Sequence, residues 1–126
     1  MTRKTLVLSA IGAIVVGVAL SAFHQGEDPL DPVLVAPDSH KIAFENIFVR
    51  VLEVRVRPGS IEPRHRHPHG LSVYFASQDT KITVDGRAPQ VGHREAGSFA
   101  WSDAVVHTVE NVGSTDMHVL RIELKQ

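Results

Sequence analysis

Gly59-Ser-Ile-Glu-Pro-Arg-His65-Arg-His67-Pro-His69-Gly70 places three of the chain's eight histidines within five residues, behind a proline-glycine turn. If Arg64 to His67 is extended, side chains alternate between faces, so His65 and His67 point one way and Arg64 and Arg66 the other. Two imidazoles on one face, one residue apart, are half of a metal site. A polar turn with solvated histidines accounts for the same triplet, because His-rich tracts are only a compositional hint of metal binding. A third ligand from elsewhere in the chain decides between the two.

The surroundings of the triplet read as strands. From His40 onward, short runs of Val, Ile and Phe are bounded by Gly, Asn, Asp and Pro, the signature of an all-β domain. Lys41 to Phe44 leads to a turn at Glu45-Asn46, Ile47 to Val56 ends at Pro58-Gly59, and Ile61 to His67 ends at Pro68 to Gly70. Leu71 to Ala76 alternates Leu71, Val73 and Phe75 against Ser72, Tyr74 and Ala76. Lys81 to Val84 runs into Asp85-Gly86, a hairpin signal. Ser98 to Trp101, Val105 to Glu110 and Met117 to Leu124 complete the set. No stretch after Gln25 carries a 3.6-residue apolar period. About seven to nine short strands at such spacing fit a jelly roll or small β-barrel.

Before the strands, His24 to Asp38 carries Pro29, Pro32 and Pro37 with Glu27, Asp28 and Asp31, and reads as an extended proline-rich linker over residues 22–38. Val33 to Val35 can pack there as a short edge piece. Further upstream, Arg3 and Lys4 precede the apolar run Leu6 to Leu20, and Ala19-Leu-Ser21 supplies small residues for cleavage. Residues 1–21 therefore read as a secretory signal peptide. The competing reading is an uncleaved anchor, since Thr5 to Phe23 carries no charge and about twenty apolar residues cross a bilayer. Either places residues 39–126, the β-domain, outside the cytoplasm, periplasmic or secreted, with membrane contact only through the N-terminal segment.

Composition excludes several functions. A formal charge of −1, without a basic block, gives no electrostatic footprint for nucleic acid. The absence of cysteine removes disulfides, thiolate nucleophiles and cysteine-based zinc sites. There is no Gly-x-Ser-x-Gly, no phosphate-cradling glycine loop and no His-Glu-x-x-His.

The third histidine is His107, in Val105-Val-His107-Thr-Val-Glu-Asn111, on a strand opening after a polar turn. With it the chain resembles the cupin family. Gly59, five residues, His65, one residue, His67 is similar to the first half of the first cupin motif, whose second histidine is normally followed after three or four residues by a glutamate. His107, three residues, Asn111 resembles the end of the second motif, and Gly97 its opening glycine. The resemblance runs over roughly residues 41 to 125 and implies a cupin jelly roll with His65, His67 and His107 as ligands of one divalent metal. Two departures stand out. Leu71, or Ser72 on the longer spacing, occupies the glutamate position, and Asp103 and Val105 replace the proline and glycine of the turn before the last histidine.

Three neutral imidazoles leave the full charge of the ion uncompensated and leave coordination positions open, an arrangement that serves zinc hydrolytic and iron oxygen chemistry. Imidazole suits zinc, iron, nickel and copper, and manganese is also compatible with the family, so the metal is not chosen by sequence. The resemblance then implies a small-molecule oxygenase or isomerase. The alternative is a metal-free cupin that binds a small ligand, or acts as a sensor or accessory protein, in a pocket lined by Leu71, Val73, Phe75, Phe99 and Trp101. A homodimer suits a small β-domain with edges to protect. Among the remaining polar residues, His69 reads as rim, and His24, His40, His93 and His118 read as surface or ordinary packing. Glu62 reads as a solvated turn residue, and Glu110 and Glu123 have no visible partner.

Overall fold

The computed structural model describes residues 27–126. The expected signal or anchor segment lies outside the described residues. Among them, no helix is long and apolar enough to cross a membrane.

One helical turn, α1 (Pro32–Val35), precedes nine strands: β1 (His40–Glu45), β2 (Val49–Val56), β3 (Ile61–His67), β4 (Gly70–Tyr74), β5 (Gln78–Val84), β6 (Gln90–Arg94), β7 (Phe99–Ser102), β8 (Val105–Asn111) and β9 (Met117–Leu124). They form two antiparallel sheets, a five-stranded one in the order β1-β2-β9-β4-β7 and a four-stranded one in the order β3-β8-β5-β6. This is the all-β jelly roll expected from the punctuation of the sequence.

Strand β5 begins at Gln78, ahead of the expected Lys81, and β4 ends at Tyr74, ahead of Ala76; three further departures each have a local reason. The segment read as an extended linker contains α1: the Asp31 carboxylate accepts from the Val33 backbone N–H at 3.0 Å, and Pro32 supplies a preset φ in the first turn. That segment is docked, because the Arg66 backbone N–H donates to Leu30 O at 2.8 Å and α1 packs on β1 and β3. The second strand begins at Val49, since Asn46 Oδ1 accepts from the Phe48 and Val49 N–H groups and holds Ile47 and Phe48 in an exposed turn. Strand β6 was not expected at all. Its five residues are all exposed, so Gln90-Val-Gly-His-Arg94 shows no apolar alternation to read.

Register decides which side chains meet inside. Leu52, Val54 and Val56 on β2 pair with Arg121, Val119 and Met117 on β9. The apolar members, with Val109, form the buried core, against which Val33, Tyr74 and Ile82 pack. Each such side chain contributes about 1.5–3 kcal/mol by leaving water. Along β9 the buried positions run Met117, Val119, Arg121, Glu123, so one end of the interior is apolar and the other polar.

On β4 the pairing Leu71↔Ile122 and Val73↔Leu120 puts these residues on the outer face of the five-stranded sheet, with Trp101 and Phe99 beside them on β7. The pocket of Leu71, Val73, Phe75, Phe99 and Trp101 considered from sequence is therefore not formed: of the five, only Trp101 borders the internal cavity. Ser72, Tyr74, Ala100 and Ser102 line that side of it instead.

Candidate metal centre

Strand β3 carries the site, and a bulge in it decides the composition. His65 pairs with His107 and His67 with Val105 on β8, so the two histidines share the inner face as alternation requires. Between Glu62 and His65 the register shifts by one residue. The bulge contains Pro63, which cannot donate to a ladder, and it inverts the parity of the strand upstream. Glu62 therefore faces inward with His65 and is 4% exposed, not solvated as its sequence setting suggested.

His40 completes the cluster from the opposite sheet. Its partner on β2 is Val54, a core residue, and this register turns the imidazole inward, where it is buried rather than on the surface. His40, His65 and His67 each offer a ligand nitrogen within 4.8 Å of the others. His107 joins through His65, with the two Nε2 atoms 3.1 Å apart. Of the histidines singled out in the sequence, His65, His67 and His107 thus meet in one place, and His40 is the member that sequence reasoning missed.

The other nitrogens of these rings are held by the protein. His65 Nδ1 donates to Pro63 O at 2.6 Å, which leaves the Nε2 lone pair facing His107. His67 Nδ1 donates to Glu123 Oε1 at 2.6 Å, while Glu123 Oε2 accepts from Arg50 Nε at 2.7 Å. Arg50 continues to Asp31 Oδ2 at 2.7 Å. Carboxylate–histidine contacts of this kind fix ring orientation and tautomer at metal sites. Glu123, which seemed unpartnered in the sequence, is the hub of this chain.

Burial keeps the cluster neutral. Desolvation, followed by the other histidines, lowers the pKa of His40 from 6.5 to about 3. For His107 desolvation and then His65 and His67 also bring it to about 3. His67 falls to about 2 through desolvation, His65 and the cation of Arg121. His65 is lowered too, chiefly by burial. At neutral pH the imidazoles are unprotonated, the form that binds metal. Burial acts on Glu62 in the opposite direction and raises it from 4.5 to about 7.

The histidines line a cavity of about 270 Å³ together with Glu62, Ser72, Tyr74, Gln78, Arg94 and Arg121. Among the described residues, three buried side-chain atoms lack a hydrogen-bond partner: Glu62 Oε1, Gln78 Oε1 and Arg121 Nε. All three residues line this cavity. Unsatisfied buried polar groups are rare in native proteins, and these three border one cavity.

The remaining polar residues lie elsewhere. Arg64 and Arg66 point outward as alternation required, paired with Asp85 and Asp28. His69 sits at the rim, 3.5 Å from Asp103 and stacked on Trp101. His93 is exposed between Asp79 and Glu95, His118 meets Glu53, and Glu110 pairs with Lys81.

No family model matches the chain, and no curated protein matches it. Solved structures do. A cupin domain from Bordetella pertussis superposes with a TM-score of 0.64 at 22% identity, covering 69% of this chain and 92% of its own. An RmlC-like cupin family protein with a double-stranded β-helix fold from Methanocaldococcus jannaschii gives 0.56 at 11% identity, covering 68% and 77%. The DMSP lyase DddQ from Ruegeria pomeroyi gives 0.53 at 14% identity, covering 72% of this chain and 49% of the lyase.

Proposed function

Because the chain has the cupin fold, a small double-stranded β-helix, with a histidine-lined cavity inside it, we propose that it binds one divalent metal ion at the inward histidines. His65, His67 and His107 are three donors. His40 is the fourth, standing in for the carboxylate that neither Leu71 nor Ser72 supplies. The observation that carries this reading is the 3.1 Å approach of the half-buried His107 Nε2 to His65 Nε2, beside the buried His40, His65 and His67.

His40, His65 and His67 form one ligand group, and His107 approaches it through His65. Two nitrogens each about 2.1 Å from one metal lie at most about 4.2 Å apart. The His65–His107 pair satisfies that limit, and the His40, His65 and His67 nitrogens exceed it by at most about 0.6 Å, given their 4.8 Å bound. Four neutral imidazoles leave the ion's charge uncompensated. The nearest negative charge then comes from one step outward, through Glu123 behind His67 and Glu62 beside His40, whose Oε1 lies 3.3 Å from His40 Nδ1.

A metal held by imidazoles supplies Lewis-acid or redox chemistry to a small molecule, and oxygenation or isomerisation is the reaction class we propose. The chain's own residues bury the reacting space, keep the donors deprotonated and fix their tautomers. The compartment we propose is extracytoplasmic, supported by Arg3, Lys4 and the apolar run Leu6 to Leu20. Elemental analysis of the purified protein beside a His65→Ala/His67→Ala variant tests the reading. About one equivalent of metal is expected in the first and none in the second; equal content in both rejects it.

A further inference from the structure

The cavity contains a buried cation that forms no direct hydrogen bond to an anion. Arg121 is 4% exposed on the central strand β9. Its terminal nitrogens reach only neutral acceptors, Pro68 O at 2.6 Å and Ser72 Oγ at 3.4 Å. Nε has no partner. The carboxylate next along the same face, Glu123, acts on it only through its charge, since one oxygen accepts from His67 and the other from Arg50. A buried charge left with neutral neighbours is costly, and natural proteins rarely retain one unless something binds it.

The space around the guanidinium is shaped for it. At Gly70 a Cβ would stand 2.1 Å from Ile122 O and 3.2 Å from Arg121 Cζ, so only glycine lets β4 lie this close over the arginine. Ser72, at the position where the sequence pattern expects a metal-binding glutamate, pairs with Arg121 across β4 and β9. A serine at this position thus gives Arg121 a neutral cross-strand neighbour where the pattern has a carboxylate. A second guanidinium, Arg94, lies over the Tyr74 ring at the same cavity, 5.8 Å from its centroid.

We propose that Arg121, flanked by Ser72 and Gly70, is a carboxylate clamp, and that the small molecule this protein takes is an organic acid seated with its carboxylate on Arg121 in the histidine-lined cavity. A carboxylate matches a buried guanidinium whose Nε has no partner, and the cavity of about 270 Å³ has room for a small organic acid. The inference deepens the metal-site reading and rests on it for whatever happens to the bound acid. Seating the acid requires only the arginine.

Calorimetric titration of the metal-free full chain separates the two. Sodium malonate, neutral malonamide and inorganic phosphate are compared at constant ionic strength. Malonate is expected to bind, with malonamide and phosphate at least about tenfold weaker, as loss of a charge-assisted hydrogen bond implies. Arg121→Met is expected to abolish malonate binding, to retain the metal content of the wild type, and to melt no lower than the wild type without ligand, because it removes a buried unpaired charge. Ser72→Asp provides a second test that raises rather than lowers stability: an internal carboxylate occupies the clamp, so melting temperature rises and malonate binding disappears. Malonamide or phosphate binding as well as malonate, or malonate binding that survives in Arg121→Met or Ser72→Asp, overturns the proposal. A metal-free protein that never takes up metal but still binds malonate through Arg121 rejects the metal reading and leaves the clamp standing.

Discussion

His65 on β3 and His107 on β8 are direct cross-strand partners, and their Nε2 atoms lie 3.1 Å apart. His65 Nδ1 is already bonded to Pro63 O, so in the metal-free protein the proton of this contact sits on His107 Nε2. A cation bound there requires the other neutral tautomer of His107, with its proton moved to Nδ1, so no net proton is released from the already neutral ring. Metal binding is expected to stabilise the fold. At a free metal concentration of about 100 times Kd the gain is about 2.7 kcal/mol, on the order of 10 °C in Tm for a domain of this size. His107→Ala is expected to lose most of the zinc-dependent rise in a melting experiment. A rise of wild-type size in that variant removes His107 from the site.

Stability of the metal-free protein is expected to depend on pH with a defined sign. The folded-state pKa values of His40, His67 and His107 lie at about 3, 2 and 3, below the unfolded value of 6.5. Between these limits the unfolded chain binds more protons, so stability is full above about pH 6.5 and is lost as pH falls towards 3. Glu62, raised from 4.5 to about 7, opposes this: its contribution is full below 4.5 and is lost as pH rises through 7. His65 is lowered as well and Glu123 is raised, so four histidines outweigh two carboxyls; Tm falls on acidification from pH 7 to 5, and Glu62→Gln steepens the fall. A flat profile over that range contradicts the neutral histidine cluster.

Glu123 orients His67 and anchors Arg50 through its two oxygens. Glu123→Gln keeps the size but removes the charge that favours the Nδ1–H tautomer of His67. Metal affinity is expected to weaken about 10–100-fold, the usual effect of losing such a partner. Competition against a chromophoric chelator measures it. Unchanged affinity means that His67 is not a ligand.

Gly70→Ala places a methyl group 2.1 Å from Ile122 O, which forces β4 away from β9. A loss of about 1–3 kcal/mol is expected, the usual cost of overpacking. Chemical denaturation reads it directly, and a neutral result contradicts the close strand approach over Arg121.

Much of this was legible from residue order. Val, Ile and Phe runs between turn residues gave the strands, and His-x-His on a strand gave two inward imidazoles. Glu62 and His40 were not legible, for two different physical reasons. Strict alternation from His65 puts Glu62 outside, and only the bulge at Pro63 turns it inward; a proline inside a strand was the available signal. His40 has no motif around it, and its direction follows from pairing with Val54, a register that local sequence does not contain. Leu71 and Ser72 show the reverse problem. Apolar alternation named Leu71 as the inner residue, but at β4 the apolar residues lie on the outer face and Ser72 and Tyr74 line the cavity, so the parity rule held and the choice of face failed.

Anomalous diffraction from crystals of the protein soaked in a zinc salt tests the central claim most directly. The account expects one strong peak inside the barrel, about 2.0–2.1 Å from the Nε2 atoms of His65, His67 and His107 and within reach of His40. An empty barrel interior, with zinc only at exposed groups such as His93 between Asp79 and Glu95, contradicts it.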